Sequence, residues 1–268
     1  MANLYLKQAK LYSKSRPGYP QALFQFIASK TPKHDLAWDV GTGSGQAAKS
    51  LAGIYKNVIG TDTSQKQLDF ATKLPNVRYQ YTPPNMSIAE LEHCVAARAS
   101  VDVVTVAQAL HWFHLPTFYK QVNTVLKKPH GVIAAWTYTV PEVNDTIDSI
   151  FRRLYFDESR PYCTPGRELI ADKYRSIDFP FEPVDGADHT GPFEFKTERL
   201  MDLEEYLAYK KSGSAYQTAL EKGVELLKDD VIDEFKRAWC EDGNDRKVVK
   251  FPVYLRIGKV GNLGEEGS

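Results

Sequence analysis

The sequence predicts an α/β protein with a parallel, doubly wound sheet, and three observations predict it. Short apolar runs alternate with helix-like segments five times within about 140 residues, the rhythm of strand–helix units. The first run ends in a glycine-rich turn, LAWDVGTGSGQAAKSLA at 36–52, with three glycines at alternate positions behind an aspartate. The run VDVVTVAQAL at 101–110 is so densely β-branched that it reads as a central strand buried on both faces.

Taken in order, PQALFQFIASK (20–30) carries Leu23, Phe24, Phe26 and Ile27 at near-helical spacing and predicts a helix. LAWDVG (36–41) is an apolar run stopped by glycine, hence a buried strand, and GQAAKSLAGI (45–54) is small-residue and helix-prone. NVIGTD (57–62) is a second strand. SQKQLDFATK (64–73) follows as a helix, with Ser64 and Gln67 spaced as a capping box. NVRYQYT (76–82) alternates as a third strand, IAELEHCVAARA (88–99) carries a helical stripe, and VDVVTVAQAL is the fourth strand. LPTFYKQVNTVLKK (115–128) puts Phe118, Val122, Val125 and Leu126 on one side of a helix, Pro129 to Gly131 break it, and VIAAWTYT (132–139) is the fifth strand.

Beyond residue 140 the alternation stops. Helices are expected at NDTIDSIFRRLYF (144–156), MDLEEYLAYKK (201–211) and DDVIDEFKRAWCE (229–241), with aromatic-rich loops such as DFPFEPVDGADHTGPFEF (178–195) between them. KVVKFPVYLRIGKV (247–260) then sets Val249, Phe251, Val253 and Leu255 against Lys250, Pro252, Tyr254 and Arg256, the alternation of a strand, and Pro252 suits an edge. The expected organisation is a core at 1–140, a mostly helical insertion at 141–245, and a strand at 246–262 that returns to the sheet. The insertion would lie over the carboxyl edge, where open α/β folds bind ligands.

Composition narrows the function. Lys plus Arg equals Asp plus Glu at 34 each, so the basic surplus with which general nucleic-acid binders neutralise phosphates is missing. Cys94, Cys163 and Cys240 lie far apart without a CxxC, which speaks against a disulfide framework and against a zinc site of the usual spacing. The opening MANLYLKQAKLYSKSRPGYP has no long apolar core, and no run of about 18 apolar residues occurs. The expectation is a soluble, cytoplasmic monomer or homodimer with no nucleic-acid, membrane or metal partner.

The glycine turn separates cofactors. A phosphate loop, G-x-x-x-x-G-K-[ST], fails because Gln46 stands five positions after Gly41. A dinucleotide fingerprint, G-x-G-x-x-G, fits Gly41 and Gly43 but again meets Gln46 where its third glycine belongs. The chain has Asp39-x-Gly41-x-Gly43-x-Gly45 instead. An aspartate here would repel a pyrophosphate. Asp62, at the end of the second strand, can accept both hydroxyls of a ribose, a role shared with nicotinamide enzymes.

The Asp39-to-Gly45 pattern resembles motif I of the class I S-adenosylmethionine-dependent methyltransferases, whose cofactor carries an amino group and a sulfonium. YSKSRPGYP (12–20), AQALHWF (107–113), VLKKPHGVIAAW (125–136) and SGSAYQ (212–217) resemble one branch of them. That branch is the type-11 methyltransferase domain near the trans-aconitate methyltransferases and the plant embryo-abundant proteins. The resemblance spans roughly the whole chain. Two departures stand out: His130 replaces a glycine, and YTPPNM (81–86) lacks the acid that contacts the adenine amino group in many relatives. Thr82 or a backbone carbonyl is the expected replacement.

The resemblance implies a Rossmann-like, seven-stranded sheet with a substrate cap. It also implies S-adenosyl-L-methionine as cofactor, S-adenosyl-L-homocysteine as product, and a small-molecule methyl acceptor, with O-methylation of a carboxylate or hydroxyl. Gly41, Thr42, Gly43 and Gly45 would pass under the methionine part. Asp39 would meet its ammonium or the loop backbone, or act as a structural cap. Asp62 and Thr63 would meet the ribose, and Gln67 the adenine. Gln108 would touch cofactor or substrate, against a surface amide. Tyr12 and Arg16, with Tyr19 behind them, would cover the cofactor carboxylate. His111 is a candidate substrate contact or general base, against a structural histidine. Trp112, Trp136, Tyr138 and Tyr216 are candidates for the acceptor pocket, although Trp112 equally suits packing. Cys163 reads as inert. FRR (151–153) and the KK pair at 210–211 read as solvated faces, with Arg152 or Arg153 able to pair an acidic substrate. The rivals are a nicotinamide-dependent oxidoreductase, a methyltransferase-like binding protein that has lost turnover, and an RNA methyltransferase.

Overall fold

The computed structural model describes residues 17–261; Tyr12 and Arg16, expected over the cofactor, lie outside them. The first half alternates as expected: α1 (Gln21–Ser29), β1 (Leu36–Val40), α2 (Gln46–Leu51), β2 (Asn57–Asp62), α3 (Gln65–Asp69), β3 (Val77–Tyr81), α4 (Ile88–Cys94), β4 (Val103–Ala107), α5 (Leu115–Val125) and β5 (Val132–Tyr138). Then come α6 (Asp145–Arg152), α7 (Arg167–Ala171), β6 (Phe193–Met201), α8 (Leu203–Lys211), α9 (Ser214–Glu221), α10 (Asp229–Cys240) and β7 (Lys247–Lys259). The strands form one seven-stranded sheet in the order β3-β2-β1-β4-β5-β7-β6. β1 to β5 pair in parallel and β7 runs antiparallel to β5.

Strand periodicity divides the sheet's core. Because successive side chains point to opposite faces, Trp38, Ile59, Val104 and Ile133 join one apolar cluster, while Ala37, Val58, Val103 and Val132 join another. Helices cover both faces, which explains why β5 is buried along its full length.

Contacts divide the described chain into two units. The sheet unit takes Tyr19–Tyr138, Leu169–Phe195 and the strand from Val253 onward; the helical unit takes Thr139–Glu168 and Lys196–Pro252. The stretch 169–195, expected inside the insertion, thus belongs with the sheet. The helical unit has its own core, built from Ile147, Phe151, Tyr206, Phe235, Trp239 and Phe251 among others.

Three expectations need correction. Ser64 accepts from the Gln67 amide at 3.4 Å, but the Gln67 side chain makes no return bond, and α3 is only five residues long. The reciprocal box forms at Ser87 and Glu90, where a carboxylate rather than a neutral amide reaches back to the Ser87 N–H at 2.8 Å. Second, β6 falls where a loop and the start of a helix were expected; its side chains alternate between half-buried and exposed, as FEFKTERLM spells out. Third, Pro252 is not on an edge strand. Its missing N–H is tolerated because the ladder to β5 starts at Val253.

Candidate active site

β1 delivers the chain into a loop whose three glycines, Gly41, Gly43 and Gly45, all have left-handed backbones, with φ of +66°, +57° and +77°. Their surroundings differ. A Cβ on Gly41 would lie 2.7 Å from Ala109 Cβ, and one on Gly45 would press into the Tyr79 hydroxyl. A Cβ on Gly43 would meet no atom of the described residues within 4 Å. Two glycines are therefore small so that protein can pack against them, and the middle one borders space the protein leaves open.

Asp39 holds the loop from below. It is fully buried, accepts from the Thr42 hydroxyl at 2.5 Å and from the Thr105 hydroxyl at 2.7 Å. Burial raises its pKa from 3.8 to about 6 against the pull of these hydrogen bonds. The expected cofactor contact of Asp39 is corrected to the structural cap, since no surface of the carboxylate is left. Thr42 is likewise buried, its hydroxyl spent on Asp39.

Asp62 ties the loop to the next turn. Its two oxygens accept from the Gly43 N–H and the Ser64 N–H, each at 2.8 Å. Each oxygen keeps further lone-pair capacity. Thr63 sits exposed between them. Five buried polar atoms in the sheet unit lack a partner among the described residues: Gln67 Oε1, Tyr79 Oη, Gln108 Nε2, Trp136 Nε1 and Asp172 Oδ1; the first three lie on the elements that flank the loop. Leaving such a group unpaired costs about 1–3 kcal/mol, so three of them on the elements that flank one loop fit a polar ligand. Gln108 also has a left-handed backbone, φ +58°, and its Oε1 accepts from the Thr137 hydroxyl at 3.2 Å. An ordered non-glycine residue held there at a strand exit is the kind of strain that accompanies function. Beside α3, a hollow of about 470 Å³ is lined by Gln65, Leu68, Asp69, Lys73, Tyr79 and Tyr81. A larger hollow of about 1220 Å³ beside α5 borders none of the loop residues.

Sequence reasoning missed Tyr79. It stands directly opposite Gly60 in the β2–β3 register, and its ring fills the room left by both Gly60 and Gly45. Burial pushes its hydroxyl up to about 12. The signal was a glycine inside strand NVIGTD, which marks the close approach of a neighbour.

His111 follows β4 in a short 3-10 turn, and its Nδ1 lies 2.8 Å from the hydroxyl of the fully buried Tyr174. Burial lowers its pKa from 6.5 to about 4. Trp112 is 54% exposed, with its ring 5.0 Å from that of His111. The other three aromatic candidates, Trp136, Tyr138 and Tyr216, are buried. Trp136 is buried with its ring edge-on to Tyr19 at 5.3 Å and Phe24 at 5.8 Å. Tyr138 is buried beside Tyr19. Tyr216, in the helical unit, is buried and donates its hydroxyl to Glu225 at 2.6 Å.

The family model described as "Methyltransferase domain", type 11, matches residues 38–135, from β1 to β5. A protein of Dictyostelium discoideum named as a methyltransferase is 31% identical over 257 residues, covering 94% of this chain and 92% of its own length. The chain belongs to the type-11 methyltransferase family. A Saccharomyces cerevisiae protein named as an S-adenosylmethionine-dependent methyltransferase is 26% identical and covers 87% of this chain and 89% of itself. A solved structure described as a type II methyltransferase from Anaeromyxobacter dehalogenans superposes with a TM-score of 0.77 at 29% identity, covering 92% of this chain and 99% of that one. As a class I, S-adenosylmethionine-dependent methyltransferase, the chain is an enzyme, and the oxidoreductase and binding-protein rivals fall away. The matched stretch contains the glycine loop, Asp62 and Gln108.

Proposed function

We propose that this methyltransferase acts on a small molecule and methylates oxygen, with a carboxylate favoured over a phenol or alcohol. His111 carries the proposal. It is the candidate base at the β4 exit, yet burial pushes its pKa to about 4, so it is neutral at pH 7 and a weak proton acceptor. A phenol or alcohol would need a stronger base; a carboxylate is already a nucleophile and needs only orientation.

S-adenosylmethionine supplies the methyl group on a sulfonium. In this reading Gly43 leaves room for its methionine part, Asp62 accepts from the ribose hydroxyls through its remaining lone pairs, and Gln67, Tyr79 and Gln108 spend their unpartnered atoms on it. Thr63 is the exposed neighbour of the ribose acceptor, and Trp112 an exposed ring beside His111. The chain's contribution to rate is to align the acceptor oxygen and exclude water. A small-molecule role also accords with the balanced charge. The free Cys94, Cys163 and Cys240 accord with a cytoplasmic setting, and no helix among the described residues is long and apolar enough to cross a membrane.

The test is turnover with S-adenosylmethionine on a panel of organic acids and phenols, read by mass spectrometry. Methyl esters, formed at a rate that is flat between about pH 6 and 9, are expected from a base-free acceptor. Methyl ethers of phenols, formed faster as pH rises through that range, would overturn the carboxylate assignment.

A further inference from the structure

The KK pair at 210–211, expected as a solvated face, is not one: Lys210 is only 6% exposed. Three Lys or Arg residues among the described ones are buried, and two have obvious partners. Lys247 pairs with Asp242 at 2.6 Å. Arg256 donates to the Tyr174 carbonyl at 2.7 Å and to the Thr190 hydroxyl at 2.9 Å. The Lys210 ammonium has neither a hydrogen bond nor an ion pair among the described residues, although the backbone carbonyl of Lys210 accepts from the Gly213 N–H at 3.1 Å. Its ammonium faces the rings of Phe151 at 5.0 Å and Tyr155 at 5.4 Å.

A second cation shares that floor. The Arg167 guanidinium lies over the Tyr155 ring at 3.7 Å. One of its terminal nitrogens, Nη1, points at Cys163 Sγ and at the Ser159 hydroxyl, 3.4 Å away. The other, Nη2, is buried without a partner among the described residues. Burial lowers the Lys210 pKa to about 8, and the charge of Arg167 adds to the shift. The acid that Lys210 feels, Glu158, turns its carboxylate to Arg153 at 3.3 Å, and Arg153 also holds Glu234 at 2.8 Å. All of these residues belong to the helical unit. Two cations therefore sit on one aromatic floor, and among the described residues neither is paired with a carboxylate. A buried charge is costly unless it is paired and hydrogen-bonded, and cation–π contacts offset only part of that.

We propose that Arg167 and Lys210, over Phe151 and Tyr155, form a binding site for the carboxylate of a small organic acid. The unpartnered Nη2 of Arg167 and the ammonium of Lys210 would offer one donor group each to the two carboxylate oxygens, and charge-assisted bonds of this kind are strong. The rings would pack against the acid's carbon chain. The proposal extends the small-acid reading of the acceptor and rests on it for the ligand's identity.

The test is calorimetry on the full chain with succinate, glutarate, tricarballylate and inorganic phosphate, and with dimethyl succinate as the uncharged control. Adenosylhomocysteine binding is measured in parallel. At least one acid should bind and the ester should not. Lys210→Met and Arg167→Gln should each weaken the acid about tenfold or more while leaving adenosylhomocysteine affinity unchanged. Lys210→Arg should retain the acid; it is the variant to read if methionine at this position disturbs packing. Equal acid affinity in wild type and variants, preference for phosphate, or no acid binding by a protein that binds adenosylhomocysteine would each overturn the site. Acid binding that is lost in the variants, in a protein that ignores adenosylhomocysteine, would keep the site and sink the cofactor placement instead.

Discussion

Asp39 and Lys210 make an instructive pair. Each is an ionisable side chain with less than a tenth of its surface exposed, and burial moves each pKa toward neutrality, Asp39 up to about 6 and Lys210 down to about 8. Their neighbours differ. Asp39 is answered by the protein itself, through Thr42 and Thr105. Lys210 meets aromatic faces and a second cation. A buried charge that the fold satisfies is part of the scaffold; one that the fold leaves open calls for something from outside. Both lie in ionisable motifs of the sequence, and only their partners tell them apart.

The comparison predicts the largest effect at Asp39. Asp39→Ala leaves two buried hydroxyls unpaired beneath the glycine loop and should cost about 2–3 kcal/mol in urea unfolding, with cofactor affinity falling alongside. Full stability with lost binding would return Asp39 to the role of a ligand contact. The sign of its pH dependence can be worked out. A carboxyl whose folded pKa, about 6, exceeds its unfolded 3.8 binds more protons when folded. Its contribution is fully present below the unfolded pKa and is lost as pH rises through 6. His111 acts oppositely. Its folded pKa, about 4, lies below 6.5, so its contribution is present above 6.5 and lost as pH falls toward 4. Over pH 4–6 the two slopes oppose. Relative to wild type, Asp39→Asn should gain stability with rising pH across that window, and His111→Ala should lose it.

Next come the glycines, where the contrast between satisfied and open surroundings repeats. Gly43→Val points its side chain into space that no atom of the described residues occupies within 4 Å of the Cβ, so the fold should persist at a strain of roughly 1–2 kcal/mol for the left-handed backbone. Adenosylhomocysteine binding should disappear. Gly45→Ala runs into Tyr79 and should lower stability before it touches binding. Unchanged affinity in Gly43→Val would move the methionine part elsewhere. Asp62→Ala should weaken binding by about 1–3 kcal/mol through lost hydrogen bonds.

The sheet was legible in the sequence because each parallel strand is an apolar run ended by a turn residue, and NVIGTD matches β2 residue for residue. The glycine loop was legible because glycine spacing is a local property. The acceptor side was not. Trp136 and Tyr138 read as pocket residues from their place at a strand exit, but Phe24 of α1 and Tyr19 just ahead of that helix pack their rings against this strand end. Lys210 read as solvent-facing because KK gives no hint of which turn of α8 faces the core, and that depends on Phe151 and Tyr155 more than fifty positions earlier. Tyr79 escaped for the same reason: its meaning lies in Gly45 and Gly60, on other elements. Burial and partnership are set by long-range packing, and those properties separate scaffold from site.

The smallest effect is expected at the catalytic step itself. In the proposed reading His111, whose pKa burial lowers to about 4 and whose Nδ1 lies 2.8 Å from the Tyr174 hydroxyl, orients the acceptor rather than removing a proton, because so weak a base gains little by accepting one. His111→Gln, which can keep a hydrogen bond to the Tyr174 hydroxyl, should change kcat by less than about threefold, while His111→Ala should act mainly on KM for the acceptor. General bases contribute about 10²–10⁴-fold. A fall of that size in both variants, with adenosylhomocysteine affinity intact, would make His111 a base after all. It would also transfer the acceptor from carboxylates to hydroxyls, because an acid that is already ionised gains nothing from a base.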